Sequence, residues 1–301
     1  MQSLSGVIVA LAAAARLRSG PLFSRPPASA VAVAVIILVA LAEPAAADDA
    51  KTPPCSTPVA VTLADRPGTG RTTSTGGSPC VVVPGEIVLE TGVRRQTTTG
   101  DRYGVTLFSS PLTFMRVGVA KRFELAVAPP SRESRATSGP APVDSARGAT
   151  DIVVAAKYLA LDTVFAQASV GAAYTPPTGT GGFSAGAPSY SLAANVGLTI
   201  NAKLSFVMSH VLGTAIGNDP LGQSRSYFVY APSFTLAYAL DGTTTVLVQD
   251  ALLSRQGPVL PAGSRGFIAL QRQVGPRLAL DLDYEINLAP TSNRIRTDLG
   301  V

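Results

Sequence analysis

The sequence predicts an all-β transmembrane barrel of about twelve antiparallel strands in up-and-down order. Three observations predict it. An apolar export segment opens the chain. Strict apolar–polar alternation then recurs in stretches of about 10 to 14 residues, roughly twice the length of an ordinary soluble strand. Short and long connections between those stretches take turns along the chain, as they do between the two sides of a membrane barrel.

Composition narrows the alternatives first. Of 301 residues, 14% are charged and 46% are hydrophobic, Trp is absent, and Gly (28) and Pro (24) are abundant. Mean hydropathy is positive. Such a chain is not a polar disordered one, and it has little charge to cover a soluble surface. One His and two Cys do not supply the three or four ligands of a His/Cys zinc site. No metal or other cofactor is expected.

Residues 28–42 form an apolar run, preceded by Arg16, Arg18 and Arg25 and followed by Glu43-Pro44 and Ala45-Ala46-Ala47. A basic flank, a short apolar core, a helix break and an A-x-A site make a secretory signal peptide, with cleavage expected after Ala47. The alternative is an uncleaved anchor, but the core is shorter than the roughly 20 residues a helical span needs. The basic flank is long for a signal. Without residues 1–47 the chain carries 21 basic and 18 acidic residues, a net charge of +3. Lys and Arg are scattered, so no nucleic-acid partner is expected.

Residues 48–84 read as a Pro/Thr/Gly-rich periplasmic extension. It holds both cysteines, Cys55 and Cys80. In an oxidising compartment the pair is expected to form a disulfide; the alternative is two separate thiols.

From residue 85 to 301 the barrel strands are expected at 86–96, 104–119, 123–129, 151–159, 163–175, 188–200, 203–213, 226–240, 243–253, 264–274, 277–288 and 295–301. The clearest is 278–288. Leu278, Leu280, Leu282, Tyr284, Ile286 and Leu288 share one face, and Ala279, Asp281, Asp283, Glu285 and Asn287 share the other. In 189–200, Tyr190, Leu192, Ala194, Val196, Leu198 and Ile200 oppose Ser191, Asn195 and Thr199. In 227–240, Phe228, Tyr230, Phe234, Leu236 and Tyr238 oppose Ser233 and Thr235. A sandwich would alternate too, but with shorter strands. A tilted membrane strand needs about 9 to 11 residues.

The connections predict the orientation. Residues 120–122, 160–162, 201–202, 241–242 and 275–276 are tight turns with hairpin chemistry. Residues 130–150, 176–187, 214–225 and 254–263 are longer and rich in Gly, Pro and Ser. Short turns face the periplasm and long loops the exterior. The outer connections 97–103 and 289–294 are short exceptions.

Alternation also predicts an inward face. The lumen-lining candidates are Glu86, Glu90 and Arg94 on the first strand, Arg116 on the second, Glu124 on the third, and Asp151 and Lys157 on the fourth. Gln167 and Ser169 follow on the fifth, Asn195 on the sixth, Lys203 on the seventh, and Asp281, Asp283 and Glu285 on the eleventh. A charge on the lipid face costs about 2–4 kcal/mol at the midplane, so these groups belong inside. Two readings stand side by side: an interior filled by salt bridges, and a polar conduit whose charges set selectivity.

Catalytic patterns are missing. The only histidine, His210, continues the outward phase of Leu204, Phe206 and Met208 and reads as a residue near the outer rim. A barrel phospholipase needs a Ser two residues after its His, and Leu212 stands there. The run Gly179-Thr180-Gly181-Gly182 has Ser184 where a dinucleotide loop needs its last Gly, and it lacks a βαβ setting.

Three motifs in order resemble one family. Pro111-Leu112 through Arg116-Val117-Gly118-Val119 and on to Lys121-Arg122-Phe123-Glu124-Leu125 is similar to its hairpin. Gly148-Ala149-Thr150-Asp151-Ile152 through Lys157-Tyr158 is similar to its following strand. Ala173-Tyr174-Thr175-Pro176-Pro177-Thr178-Gly179 is similar to its strand end. From about 103 to 300 the chain thus resembles the outer-membrane transporter family named for the meta-pathway of phenol degradation. The resemblance implies a barrel in the bacterial outer membrane that passes small, often hydrophobic or aromatic solutes passively and carries no enzyme activity. It implies the outer-membrane lipid bilayer, a small-molecule solute and the outer-membrane assembly machinery as partners. A structural barrel without conductance is the alternative. Such barrels end in an aromatic residue, whereas this sequence ends Asp298-Leu299-Gly300-Val301, so a short last strand is expected.

Overall fold

Where side chains alternate between apolar and small or polar, the backbone forms strands that all pair antiparallel. The computed structural model describes residue 55 and residues 78–99, 104–139, 145–180, 182–218, 224–254, 263–275, 278–287 and 295–300. The signal segment, its expected cut after Ala47 and most of the 48–84 extension lie outside the described residues. Among the described residues no helix is long and apolar enough to cross a membrane.

One sheet contains fourteen strands. They are β1 Ile87–Thr99, β2 Gly104–Ala120, β3 Phe123–Ala128, β4 Arg132–Ser138, β5 Ser145–Ala149, β6 Val153–Asp162, β7 Ala166–Thr175, β8 Ser189–Thr199, β9 Leu204–Asn218, β10 Ser224–Ala239, β11 Thr244–Leu253, β12 Gly263–Gly275, β13 Leu278–Asn287 and β14 Ile295–Gly300. From β6 to β14 each strand pairs with the next. β14 also pairs with β1, and β1 pairs with β2, so the hydrogen-bonded order runs full circle. The last strand is short, as the sequence predicts, yet it pairs with both neighbours.

The ring has twelve wall segments, because two of them are interrupted. β3 pairs with the lower half of β2 and β4 with its upper half. β6 pairs with β3, and β5 with β4. Thus β3 and β4 run along one line, and β5 and β6 return along the next. The expected long loop 130–150 is therefore mostly wall. Arg132–Ser138 carries polar side chains on both faces, and Ser145–Ala149 sets only Ala146 and Gly148 against Ser145, Arg147 and Ala149. They show no apolar alternation, so local sequence carries no strand signal there.

Two further boundaries differ from expectation. The expected loop 214–225 is largely strand, since β9 continues to Asn218 and β10 begins at Ser224. His210 therefore sits well inside β9. The expected turn 160–162 falls three residues later. β6 runs on to Asp162 through a register shift between Leu159 and Leu161, and Thr163 closes the turn by donating to the Ala166 carbonyl.

One face of the wall is apolar and exposed. Leu192, Leu198, Leu236, Val248, Leu270, Leu280 and Leu282 all point outward. Tyr174 and Tyr190 pack 5.1 Å apart at the long-loop end. Phe165 and Tyr238 lie exposed near the short turns. These rings occupy the interface belts where Trp is common. The opposite face holds the buried residues.

Candidate functional site

The inner face is built from alternate residues of the same strands. Buried there are Arg116 and Glu124, Lys157, Gln167 and Ser169, Asn195, Ser209, Thr235, Gln271 and Glu285. Such side chains are rarely buried unless partnered, and the geometry supplies partners for Arg116, Glu124, Lys157, Asn195 and Glu285.

The centre of the site is an ion cluster on β1, β2, β3 and β6. Arg116 is fully buried and Glu124 is 2% exposed. Arg116 reaches both carboxylate oxygens of Glu124, Nη2 donating to Oε2 at 2.8 Å and Nε to Oε1 at 3.1 Å. Lys157 Nζ stands 3.5 Å from Glu124 Oε1, and Arg116 Nη1 stands 3.5 Å from Glu90 Oε1. Two bases and two acids thus share one buried site. In such a place an unpaired charge would be far costlier than at a surface.

The cluster also binds main chain. The Val82 amide donates to Glu124 Oε2 at 2.8 Å. Lys157 Nζ donates to the Ser78 and Cys80 carbonyls, each at 3.1 Å. Arg116 Nη2 adds a longer bond to the Cys80 carbonyl. Residues 78–82, expected in an extension outside the barrel, therefore form a strap against the inner face. Cys80, Val81 and Val82 are buried with Cys55 and Leu159. Gly118 lets the strap come this close, since a Cβ there would stand 2.1 Å from the Val83 carbonyl oxygen. Cys55 and Cys80 are joined by a disulfide, as expected.

A cavity of about 260 Å³ lies between Ser78, Pro79 and Cys80 of the strap and the inner face of β7 to β11. Its wall there is uncharged and small, with Gln167, Gly197, Ser205, Thr235 and Ala237. Lys203 reaches the rim from the turn between β8 and β9.

The other candidates spread along the wall. Asn195 and its neighbours make a hydroxyl ladder: Asn195 Nδ2 donates to Ser169 Oγ, and Ser209 Oγ donates to Asn195 Oδ1. Asp281, Asp283 and Glu285 share the less exposed face of β13, and Arg265 Nη1 stands 3.3 Å from Glu285 Oε1. Arg94 Nη2 donates to Gln96 Oε1 on β1. Glu86 is exposed just before β1, where its carbonyl accepts from the Gly118 amide. Asp151 stands between β5 and β6, apart from the ion cluster. Its carboxylate accepts from the Gly179 and Ala185 amides and from Ser184 Oγ, which binds the connection after β7 to the wall.

Sequence reasoning missed the strap and Arg265. Arg265 shares the phase of Ala269 and Gln271 and was readable from it. The strap has one faint signal, the apolar run Val81-Val82-Val83 inside a polar extension. His210, on the outward face, pairs with Tyr230 through Nδ1 and the phenol oxygen at 2.6 Å.

Comparison with known proteins places this geometry. The family model described as "Putative MetA-pathway of phenol degradation" matches residues 64–290. An outer membrane channel from Pseudomonas putida F1 superposes with a TM-score of 0.54 at 13% identity, over 73% of this chain and 96% of that one. The NanC porin superposes with a TM-score of 0.47 at 14% identity, over 70% of this chain and 98% of that one. No curated protein matches the chain. The first likeness shows the fold, that of an outer-membrane β-barrel.

Proposed function

Because the chain belongs to the phenol-degradation family whose model spans residues 64–290, we propose that it is an outer-membrane channel for the passive passage of small compounds, hydrophobic or aromatic ones among them. The observation that carries this reading is a ring of strands, apolar outside, whose inner face bears hydroxyls, amides and charges around a cavity of about 260 Å³. A lipid-facing exterior and a polar interior are what a solute conduit across a bilayer needs.

The lumen-lining set is Glu86, Glu90, Arg94, Arg116, Glu124, Asp151, Lys157, Gln167, Asn195, Lys203, Asp281, Asp283 and Glu285. Glu90, Arg116, Glu124 and Lys157 largely neutralise one another, so they shape the lumen more than they charge it. The β13 carboxylates lie two strands beyond β11, and Arg265 pairs with one of them, Glu285. The barrel reaches the outer membrane after cleavage near Ala47 and is inserted by the assembly machinery. Its short turns face the periplasm, which places the strap at the periplasmic mouth. It has no catalytic role.

A second reading, a plugged barrel without conductance, is favoured by the strap, which occupies part of that mouth. Planar-bilayer recording on refolded protein separates the two. Stepwise open-channel currents are expected. A protein that shifts on unboiled gels, and so is folded, but carries no current would be the plugged barrel instead.

A further inference from the structure

The strap does more than occupy space. Its carbonyls and one amide are held by Arg116, Glu124 and Lys157, all on β2, β3 and β6. It is thus seated against the charged side of the ring. On its other side Pro79 faces Gly197 of β8, where a Cβ would stand 2.8 Å from Pro79 Cγ. The cavity opens beside that contact, lined by Gln167, Ser205, Thr235, Ala237 and Leu247. None of those five is charged, and Ser205, Thr235 and Ala237 are small. Besides the peptide backbone, the disulfide between Cys80 and Cys55, which are 25 residues apart, ties the strap to the chain before it.

We propose that residues 78–82 are the size filter of the channel. Solutes cross the short-turn mouth through the gap between Pro79 and the uncharged wall of β9 to β11, and the Cys55–Cys80 disulfide keeps the filter seated. This inference rests on the channel reading. The filter is a steric one. Its width is set by Pro79 on one side and by Thr235, Ala237 and Leu247 on the other, Pro79 rests against Gly197, and the ion cluster holds the strap at that distance. A cross-link that closes a loop removes conformations in which the strap is displaced. Its loss leaves the strap to its non-covalent contacts with the wall, among them the bonds to Arg116, Glu124 and Lys157.

Liposome swelling with neutral sugars of graded size, together with bilayer current, tests this on the full chain. Three forms are compared: the wild type, the Cys55→Ser/Cys80→Ser variant, and the wild type treated with dithiothreitol. The dithiol delivers two electrons and two protons to the disulfide, leaving two cysteine thiols, and itself closes to a cyclic disulfide. The wild type is expected to pass the smaller sugars and exclude the larger. Both released forms are expected to lose that cut-off. Thr235→Phe, which fills the gap, is expected to lose passage of the smaller sugars as well, and unboiled gel migration checks that it folds. An unchanged cut-off in both released forms overturns the filter while leaving the channel standing. No swelling and no current in any form overturns the channel reading, and the filter with it.

Discussion

The Val82 amide donates to Glu124 Oε2 over 2.8 Å, so a carboxylate of the barrel wall holds the main chain of the segment that precedes the barrel. The same carboxylate is the partner of Arg116 and Lys157. One buried side chain therefore serves the wall and the strap together.

Removing that charge should be costly. Glu124→Gln keeps an acceptor for Val82 but leaves Arg116 and Lys157 facing each other without their shared anion. Breaking a buried pair costs about 3–5 kcal/mol, and urea unfolding in lipid vesicles is expected to show a loss of that order. Arg116→Met/Glu124→Met, which removes both members, should lose less than the sum of the two single changes. Strict additivity would argue against a coupled cluster.

The lipid face makes a depth-dependent prediction. Leu282 lies mid-strand on β13 and Leu278 at its short-turn end, both exposed. Leu282→Arg is expected to destabilise the barrel by about 2–4 kcal/mol and Leu278→Arg by about 0–1 kcal/mol. Equal costs in a refolding titration would contradict the membrane placement of β13.

Gly148 supports the connection after β7. A Cβ at Gly148 would stand 2.2 Å from the Thr180 carbonyl oxygen and 2.6 Å from the Phe183 ring, which is itself buried. Backbone cannot yield as a flexible side chain does, so Gly148→Val should push residues 178–185 off the wall. Phe183→Cys reports it: maleimide labelling of that thiol is expected to be slow alone and fast in combination with Gly148→Val. Equal labelling rates would place Phe183 outside the contact.

Asp241, in the turn after β10, accepts from the Thr243 amide, the Thr243 hydroxyl and the Thr244 amide. Those bonds, the Thr243 amide first, hold its carboxyl down to about 2. A carboxyl depressed on folding stabilises above its unfolded value near 4 and loses that contribution as pH falls toward its folded value. The window therefore runs from about pH 4 down to about 2. Carbon-detected NMR of the Asp241 carboxyl is expected to show a midpoint near the lower end. A midpoint near 4 would mean the turn does not hold that geometry.

Much of this architecture was legible residue by residue. β8, β11 and β13 follow the alternation of 188–200, 243–253 and 277–288 to within a residue or two at each end. The buried state of Arg116, Glu124, Lys157, Gln167 and Asn195 follows from their phase. β4 and β5 were not legible. They pair only with each other and with β2, so neither face need be apolar and no period appears. The strap was hidden for a different reason: nothing local marks a Pro/Gly-rich stretch as the partner of a charge cluster.

The sequence by itself determined where the alternating strands run and which face of each meets lipid. Period two is a local property, and a bilayer tolerates only an apolar exterior. Only the tertiary structure decided which charges meet and what they hold. Glu124 and Val82 are 42 residues apart, and Lys157 and Ser78 are 79 apart. Such contacts depend on closure of the ring and on register between distant strands. Alternation states a residue's side of the wall, and it is silent about what lies across from it.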